Sequence, residues 1–168
     1  MFSKYYHLIK LQTGNRFVIS GITDLSGIFS ECFLLPKIDI KFIETTNMRN
    51  LFNSCTKLNS IDLSNFNTSK VKDMSVIFAN CFVLKSIDVS HFDTSNVEDM
   101  NNLFSTYSLI TELNLKNFNT SKVKNMRSLF SRCRSITSFD LSNFDTSQIT
   151  NMNEMFSMCE SVTELIKF

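Results

Sequence analysis

The chain has 168 residues, an ordinary single-domain length, and at 43% apolar and 20% charged it has enough hydrophobic mass to bury a core. A formal net charge of +1 gives no global pull toward nucleic acid or an anionic membrane. No apolar run approaches the roughly 18 residues of a membrane-spanning helix, and three glycines and one proline leave no flexible or Pro-rich linker to mark a second domain.

Residues 1–23 do not repeat. The apolar stretch after Lys4 is broken by His7, Lys10 and Gln12, and no small-residue cleavage site follows, so the segment does not read as a secretory signal. Leu8-Ile9-Lys10-Leu11 and Phe17-Val18-Ile19, joined around Thr13-Gly14-Asn15, predict a β-hairpin. Its expected role is to cap the array that follows, because the end of a repeat stack otherwise exposes core.

Residues 24–168 are organised by a period of 26. Ile61-Asp62-Leu63 returns as Ile87-Asp88-Val89, Leu113-Asn114-Leu115 and Phe139-Asp140-Leu141. Met74 returns as Met100, Met126 and Met152, and Phe78 as Phe104, Phe130 and Phe156. A shorter copy precedes these: Ile38-Asp39-Ile40 stands 23 residues before Ile61-Asp62-Leu63, with three residues missing from the loop between Phe42 and Met48. A constant period in this range predicts a solenoid, here of about five to six coils.

Two hydrophobic periods alternate within each coil. Ile87, Asp88 and Val89 alternate apolar, polar, apolar, which predicts a short strand with one face buried. Val71, Met74, Phe78 and Cys81, spaced three, four and three apart, predict a short helix. The expected architecture is an α/β repeat of leucine-rich-repeat type, with parallel strands on one face and helices on the other. Between strand and helix, Asn67 and Asn119 exchange with Asp93 and Asp145, as a turn-forming side-chain oxygen allows, and the Thr-Ser that follows predicts a helix N-cap. The column Phe29, Phe52, Phe78, Phe104, Phe130 and Phe156 and the column Phe42, Phe66, Phe92, Phe118 and Phe144 predict two stacked core ladders. Asn67-Thr68-Ser69 and Asn119-Thr120-Ser121 match the glycosylation pattern, but the exchange with Asp favours the turn reading.

These columns resemble the BspA-like leucine-rich-repeat surface proteins. The nearest matches are Leu141-Ser142-Asn143-Phe144-Asp145-Thr146-Ser147 and Asn151-Met152-Asn153-Glu154-Met155-Phe156, and the resemblance runs from about Leu25 to Leu165. It implies a non-catalytic protein-interaction or adhesion module, placed at the cell surface or secreted. The chain itself shows no signal or anchor, which leaves open a cytoplasmic repeat scaffold, or a fragment or spacer of a larger surface protein.

Cys32, Cys55, Cys81, Cys133 and Cys159 share one column, with Tyr107 in the remaining coil. An odd number and a tolerated Tyr predict buried free thiols, and one Cys per coil does not converge as zinc ligands must. His91 stands in a column of Asn65, Asn117 and Asn143 and reads as a surface substitution. No catalytic triad, zinc-peptidase or phosphate-loop motif is present, so no enzyme activity, cofactor or metal is expected.

One surface feature is a candidate for recognition. Strand parity turns Asp39, Asp62, Asp88, Asn114 and Asp140 outward as a stripe. The third full coil departs from the others through Tyr107, Glu112, Asn114 and Lys116, so Glu112 and Lys116 join the candidate stripe. The expected partner is a protein, not nucleic acid, with no membrane insertion. At the C-terminus Leu165 falls in the buried column and Ile166 in the Asp column, and this unfinished strand predicts self-association through the last coil.

Overall fold

The structure is a computed structural model and describes residues 16–18, 23–34, 37–41, 43–107 and 109–166. Its strands are β1 (Arg16–Val18), β2 (Lys37–Lys41), β3 (Ile43–Glu44), β4 (Ser60–Asp62), β5 (Phe66–Asn67), β6 (Ser138–Asp140) and β7 (Glu164–Ile166). All pairing between them is parallel. β1, β2 and β4 form one sheet in that order, with Arg16 opposite Asp39 and Asp39 opposite Asp62. β3 pairs with β5 and β6 with β7. A column of parallel bridges runs through Asp24, Asn47, Asp73, Asp99, Asn125 and Asn151, one residue per coil.

Of the expected N-terminal hairpin, one arm lies outside the described residues. The other contributes β1, which takes a place in the parallel sheet beside β2 at the 23-residue spacing.

The described residues contain no helix, which corrects the expected helical face. Val71, Met74, Phe78 and Cys81 are all buried as the spacing requires, but the backbone there is a chain of tight turns. Each coil holds two residues of positive φ four apart: Gly27 and Glu31, Asn50 and Ser54, Val76 and Asn80, Asn102 and Thr106, Ser128 and Arg132, Glu154 and Met158. An α-helix cannot pass through a left-handed residue at every fourth position. Asn50 and Ser54 each hold the third position of a turn closed by a hydrogen bond, Leu51 to Met48 and Cys55 to Phe52, where a type II turn needs positive φ.

The turns leave alternate N–H groups pointing out of the coil. Met48, Asn50, Phe52 and Ser54 donate to the carbonyls of Asp73, Ser75, Ile77 and Ala79 in the next coil. An α-helix spends its N–H groups on itself; these turns spend half of theirs on stitching coils together. The apolar spacing reports only which side chains face inward, and both backbones present the same set.

The core follows the columns. Phe29, Phe52, Phe78, Phe104, Phe130 and Phe156 form a continuous stack with ring centroids 5.6, 5.7, 6.4, 6.0 and 5.6 Å apart. Phe66, Phe92, Phe118 and Phe144 are buried as well, and Phe42 lies outside the described residues. This second column does not stack on itself among the described residues; Phe118 lies tilted against Phe104, centroids 6.2 Å apart.

Five free cysteines line the same core. The thiols of Cys55, Cys81, Cys133 and Cys159 donate to the carbonyls of Phe29, Phe52, Phe104 and Phe130, each in an earlier coil, at 3.0–3.3 Å. Burial pushes the Cys81 and Cys133 thiols up to about 12 and raises Cys55 further, so these sulfurs stay protonated and unreactive. Tyr107 interrupts the column. It is fully buried, and its hydroxyl meets no hydrogen-bond partner among the described residues.

Candidate interaction groove on the strand side

Short polar side chains shape the corners of every coil. The Oδ1 atoms of Asp24, Asn47, Asp73, Asp99, Asn125 and Asn151 each accept from the backbone N–H two residues on. Asn67, Asp93, Asn119 and Asp145 do the same at a second corner. Asp and Asn exchange freely because only the shared carbonyl-type oxygen is used.

The Thr beside this second corner is not a helix cap, since there is no helix to cap. Thr68, Thr94 and Thr120 are buried and donate to the carbonyls of Asp93, Asn119 and Asp145 in the next coil. Thr94 and Thr120 also accept from the N–H groups of Asn119 and Asp145. A signal for this was present: Thr never exchanges with Ser at 45, 68, 94, 120 and 146. A buried methyl beside a working hydroxyl needs Thr.

The proposed stripe forms a third corner. Asp62, Asp88 and Asp140 accept through Oδ1 from both the N–H and the hydroxyl of Ser64, Ser90 and Ser142. Asn114 accepts from the Lys116 N–H at 3.3 Å. The serine hydroxyl and N–H hold the Asp88 carboxyl below its usual range, and Ser142, with a smaller contribution from Lys116, does so for Asp140. One oxygen of each carboxylate is thus committed to the turn, and the charge remains at the surface. His91 is tied to the neighbouring coil as well, its Nε2 meeting the Leu63 carbonyl at 2.8 Å. Asn143 uses its amide in the same way on Leu115.

Strand pairing fails in the middle of the chain. β4 and β6 are regular, but the two corresponding segments between them, around Ile87 and Leu113, form no strand. The N–H groups of residues 85–89 and 111–115 donate no hydrogen bond to any described residue. At this place the surface opens into a groove of about 600 Å³. Asp88, Glu112, Asn114, Lys116 and Asp140 line it, together with Lys85. Five of the seven stripe residues are therefore brought together, while Asp39 and Asp62 lie on the paired sheet outside the groove. Lys85 was missed because its column, Asn59, Lys85, Thr111 and Thr137, has no pattern. The groove carries three anions and two cations beside unpaired backbone, which suits a polar polypeptide surface. Among the described residues no three His, Cys, Asp or Glu side chains converge as metal ligands, and no helix is long and apolar enough to cross a membrane.

A solved structure shares the fold. A leucine-rich repeat protein of Treponema pallidum superposes with a TM-score of 0.54 over 90% of this chain and 69% of its own, at 17% identity. A leucine-rich repeat protein from Bacteroides ovatus gives a TM-score of 0.42 over 85% of this chain at 16% identity, and this chain spans only 40% of its length. No curated protein matches the sequence. The Treponema superposition supports a leucine-rich-repeat-like fold and a repeat character. The family pattern described as "Mycoplasma protein of unknown function, DUF285" matches twice, over residues 1–87 and 78–167, and the chain belongs to that family.

Proposed function

We propose that the chain is a non-catalytic adhesion module of cell-surface type that binds a protein through the groove around Ile87 and Leu113. A repeat fold of this kind suits protein interaction in general. The observation that supports the finer reading is a coincidence of place: the coil whose sequence departs from the consensus, with Glu112, Asn114 and Lys116, sits where strand pairing stops and the groove opens. Polar backbone and mixed charge left in a concavity are satisfied by a partner that offers both donors and acceptors. The surface assignment draws on the resemblance to BspA-like proteins.

The test separates charge from turn chemistry. Asp88→Asn keeps the oxygen that Ser90 requires and removes only the charge, and Glu112→Lys reverses an exposed charge. Host surface protein captured by the wild-type chain should be lost with this double variant and retained by Asp39→Asn with Asp62→Asn. Equal loss from both pairs would sink the groove assignment.

A further inference from the structure

One position past the cysteine column, where each coil leaves the turn side, Phe33, Thr56, Phe82, Arg134 and Glu160 follow Cys32, Cys55, Cys81, Cys133 and Cys159. Phe82 is 41% exposed there, and Leu109, one coil further on, is 45% exposed. Between Phe82 and two arginines placed two coils away, the surface falls into a notch of about 370 Å³. Its described lining is Phe82, Thr106, Arg132 and Arg134, with no acidic side chain, and it shares no residue with the strand-side groove. An aromatic wall and a cationic wall thus face each other across a concavity.

Neither arginine is fully engaged within the chain. The Arg132 side chain makes no hydrogen bond or ion pair with a described residue, although its backbone N–H donates to the Ser157 carbonyl. Arg134 meets Glu160 through Nε at 3.5 Å, with both side chains more than half exposed, so solvent screens the pair. Glu160 stands in the coil beyond Arg134, on the side away from Phe82, and the Arg134 Nη groups hydrogen-bond to no described residue. Both guanidinium groups therefore keep the paired donors that fork a carboxylate.

We propose that this notch is a second docking site, which takes an acidic protein segment carrying an apolar side chain. The apolar side chain packs on the Phe82 ring, and neighbouring carboxylates are held by Arg132 and Arg134 opposite it. Aromatic residues and arginine are the types that protein interfaces favour at their centre. A lipid surface fits less well, because it needs apolar groups that project beyond the cations, and here the two line opposite walls of a hollow. The site does not depend on what the strand-side groove binds.

Fluorescence anisotropy of the full chain tests this with a labelled synthetic peptide that has glutamates on both sides of a single phenylalanine. The peptide should bind the wild type, and less tightly when salt is raised to about 0.5 M, where the Debye length is only a few ångströms. Phe82→Thr with Arg132→Asn installs the residues found at the equivalent positions, Thr56 and Asn80, and Asn80 shares the φ of 62° at Arg132. This variant should weaken binding by about tenfold or more, and so should glutamine in place of each glutamate of the peptide. The groove variant, Asp88→Asn with Glu112→Lys, should bind the peptide no more weakly than the wild type. Arg134→Gln alone repeats the test should the double variant lose its circular dichroism signal. A wild-type chain that ignores the peptide at millimolar concentration overturns the proposal, as does a notch variant or a glutamine peptide that binds equally well. Capture by phosphatidylglycerol vesicles that Phe82→Thr abolishes, without binding of the peptide, would assign the face to a lipid surface and overturn it as well.

Discussion

The turn side and the strand side of this stack are built from the same repeats yet are held together differently. On the turn side every interior coil donates alternate N–H groups to the next, and the ladder continues unbroken from Leu25 to Arg132. On the strand side pairing is complete at β1-β2-β4 and at β6-β7 and absent between them. Side-chain oxygens explain part of the contrast. The bridge column and the Thr column pin each coil at the corners flanking the turn side, whereas the Asp–Ser pairs of the strand corner bond within their own coil, and single side chains beside them, His91, Asn117 and Asn143, reach a carbonyl of the preceding coil. A repeat can therefore tolerate a divergent strand without coming apart, and the strand side is where it can vary.

Amide exchange measures this contrast directly and should show the largest effect. The N–H groups of Met100, Asn102, Phe104 and Thr106 donate to the following coil, while those of residues 85–89 and 112–115 donate to no described residue. If the first set opens only with the whole stack, its exchange should be slower by a factor of about 10³ or more. Equal rates on the two sides would erase the distinction.

Core truncation should show the same asymmetry in stability. Phe104 is buried between Phe78 and Phe130 at 6.4 and 6.0 Å, and Phe104→Ala should cost about 3–5 kcal/mol in urea unfolding. Ile87 on the strand side is only partly buried, so Ile87→Ala should cost clearly less, about 2 kcal/mol at most. An equal cost at the two positions would mean that the strand side is packed as tightly as the turn side.

The polar stitching should come next. Thr94→Val keeps the shape but removes a hydroxyl that both donates to the Asn119 carbonyl at 2.9 Å and accepts from the Asn119 N–H at 2.7 Å. The expected loss is about 1–3 kcal/mol, the cost of leaving partly buried groups unpaired. Thr94→Ser should recover most of it. A neutral Thr94→Val would return the residue to the role of a plain core filler.

Much of this molecule was legible in the sequence, and the failures have one cause. Burial was legible because apolar columns repeat: Met74, Phe78, Val97 and Phe104 are all inside. Turn corners were legible because Asn67 and Asp93 share only the atom they use. Backbone bonding was not, since Val71, Met74, Phe78 and Cys81 face inward whether the chain is a helix or a series of turns. Nothing in the residue at 76 announces positive φ, since Val is among the least suited to it, although Asn80 is among the better suited. The groove was half legible: Glu112 and Lys116 stood out from their columns, but the broken pairing at the regular Ser86-Ile87-Asp88 segment had no sequence signal.

Val76 offers a smaller test of the turn side. Its φ of 60° places a β-branched residue where the left-handed region costs roughly 1–2 kcal/mol, and Asn occupies the equivalent position at 50 and 102. Val76→Asn should therefore stabilise the chain by about 1 kcal/mol in thermal or urea unfolding. A loss of stability would show that the Val side chain contributes more through packing than its backbone strain removes.

The smallest effect is set by the carboxylates at the corners. Hydrogen bonds from the following serine hydroxyl and N–H lower Asp24, Asp88, Asp93 and Asp140, and those from the Ser147 N–H and hydroxyl lower Asp145. A folded pKa below the unfolded one favours the folded state above the ordinary carboxylate value, and that contribution disappears as pH falls through the depressed folded values. The stack should thus lose stability below about pH 4. Replacing Asp88, Asp93, Asp140 and Asp145 together by Asn keeps each Oδ1 acceptor, as Asn67, Asn114 and Asn119 do natively. The urea midpoint of this variant should change less between about pH 5 and pH 3 than that of the wild type. Acid sensitivity unchanged by the four replacements would assign it to the surface ion pairs between coils, such as Lys124 with Glu98 at 2.7 Å and Arg134 with Glu160 at 3.5 Å. The corners would then owe their stability to the shared amide-like oxygen alone, which is the property that lets Asp and Asn alternate along the repeat.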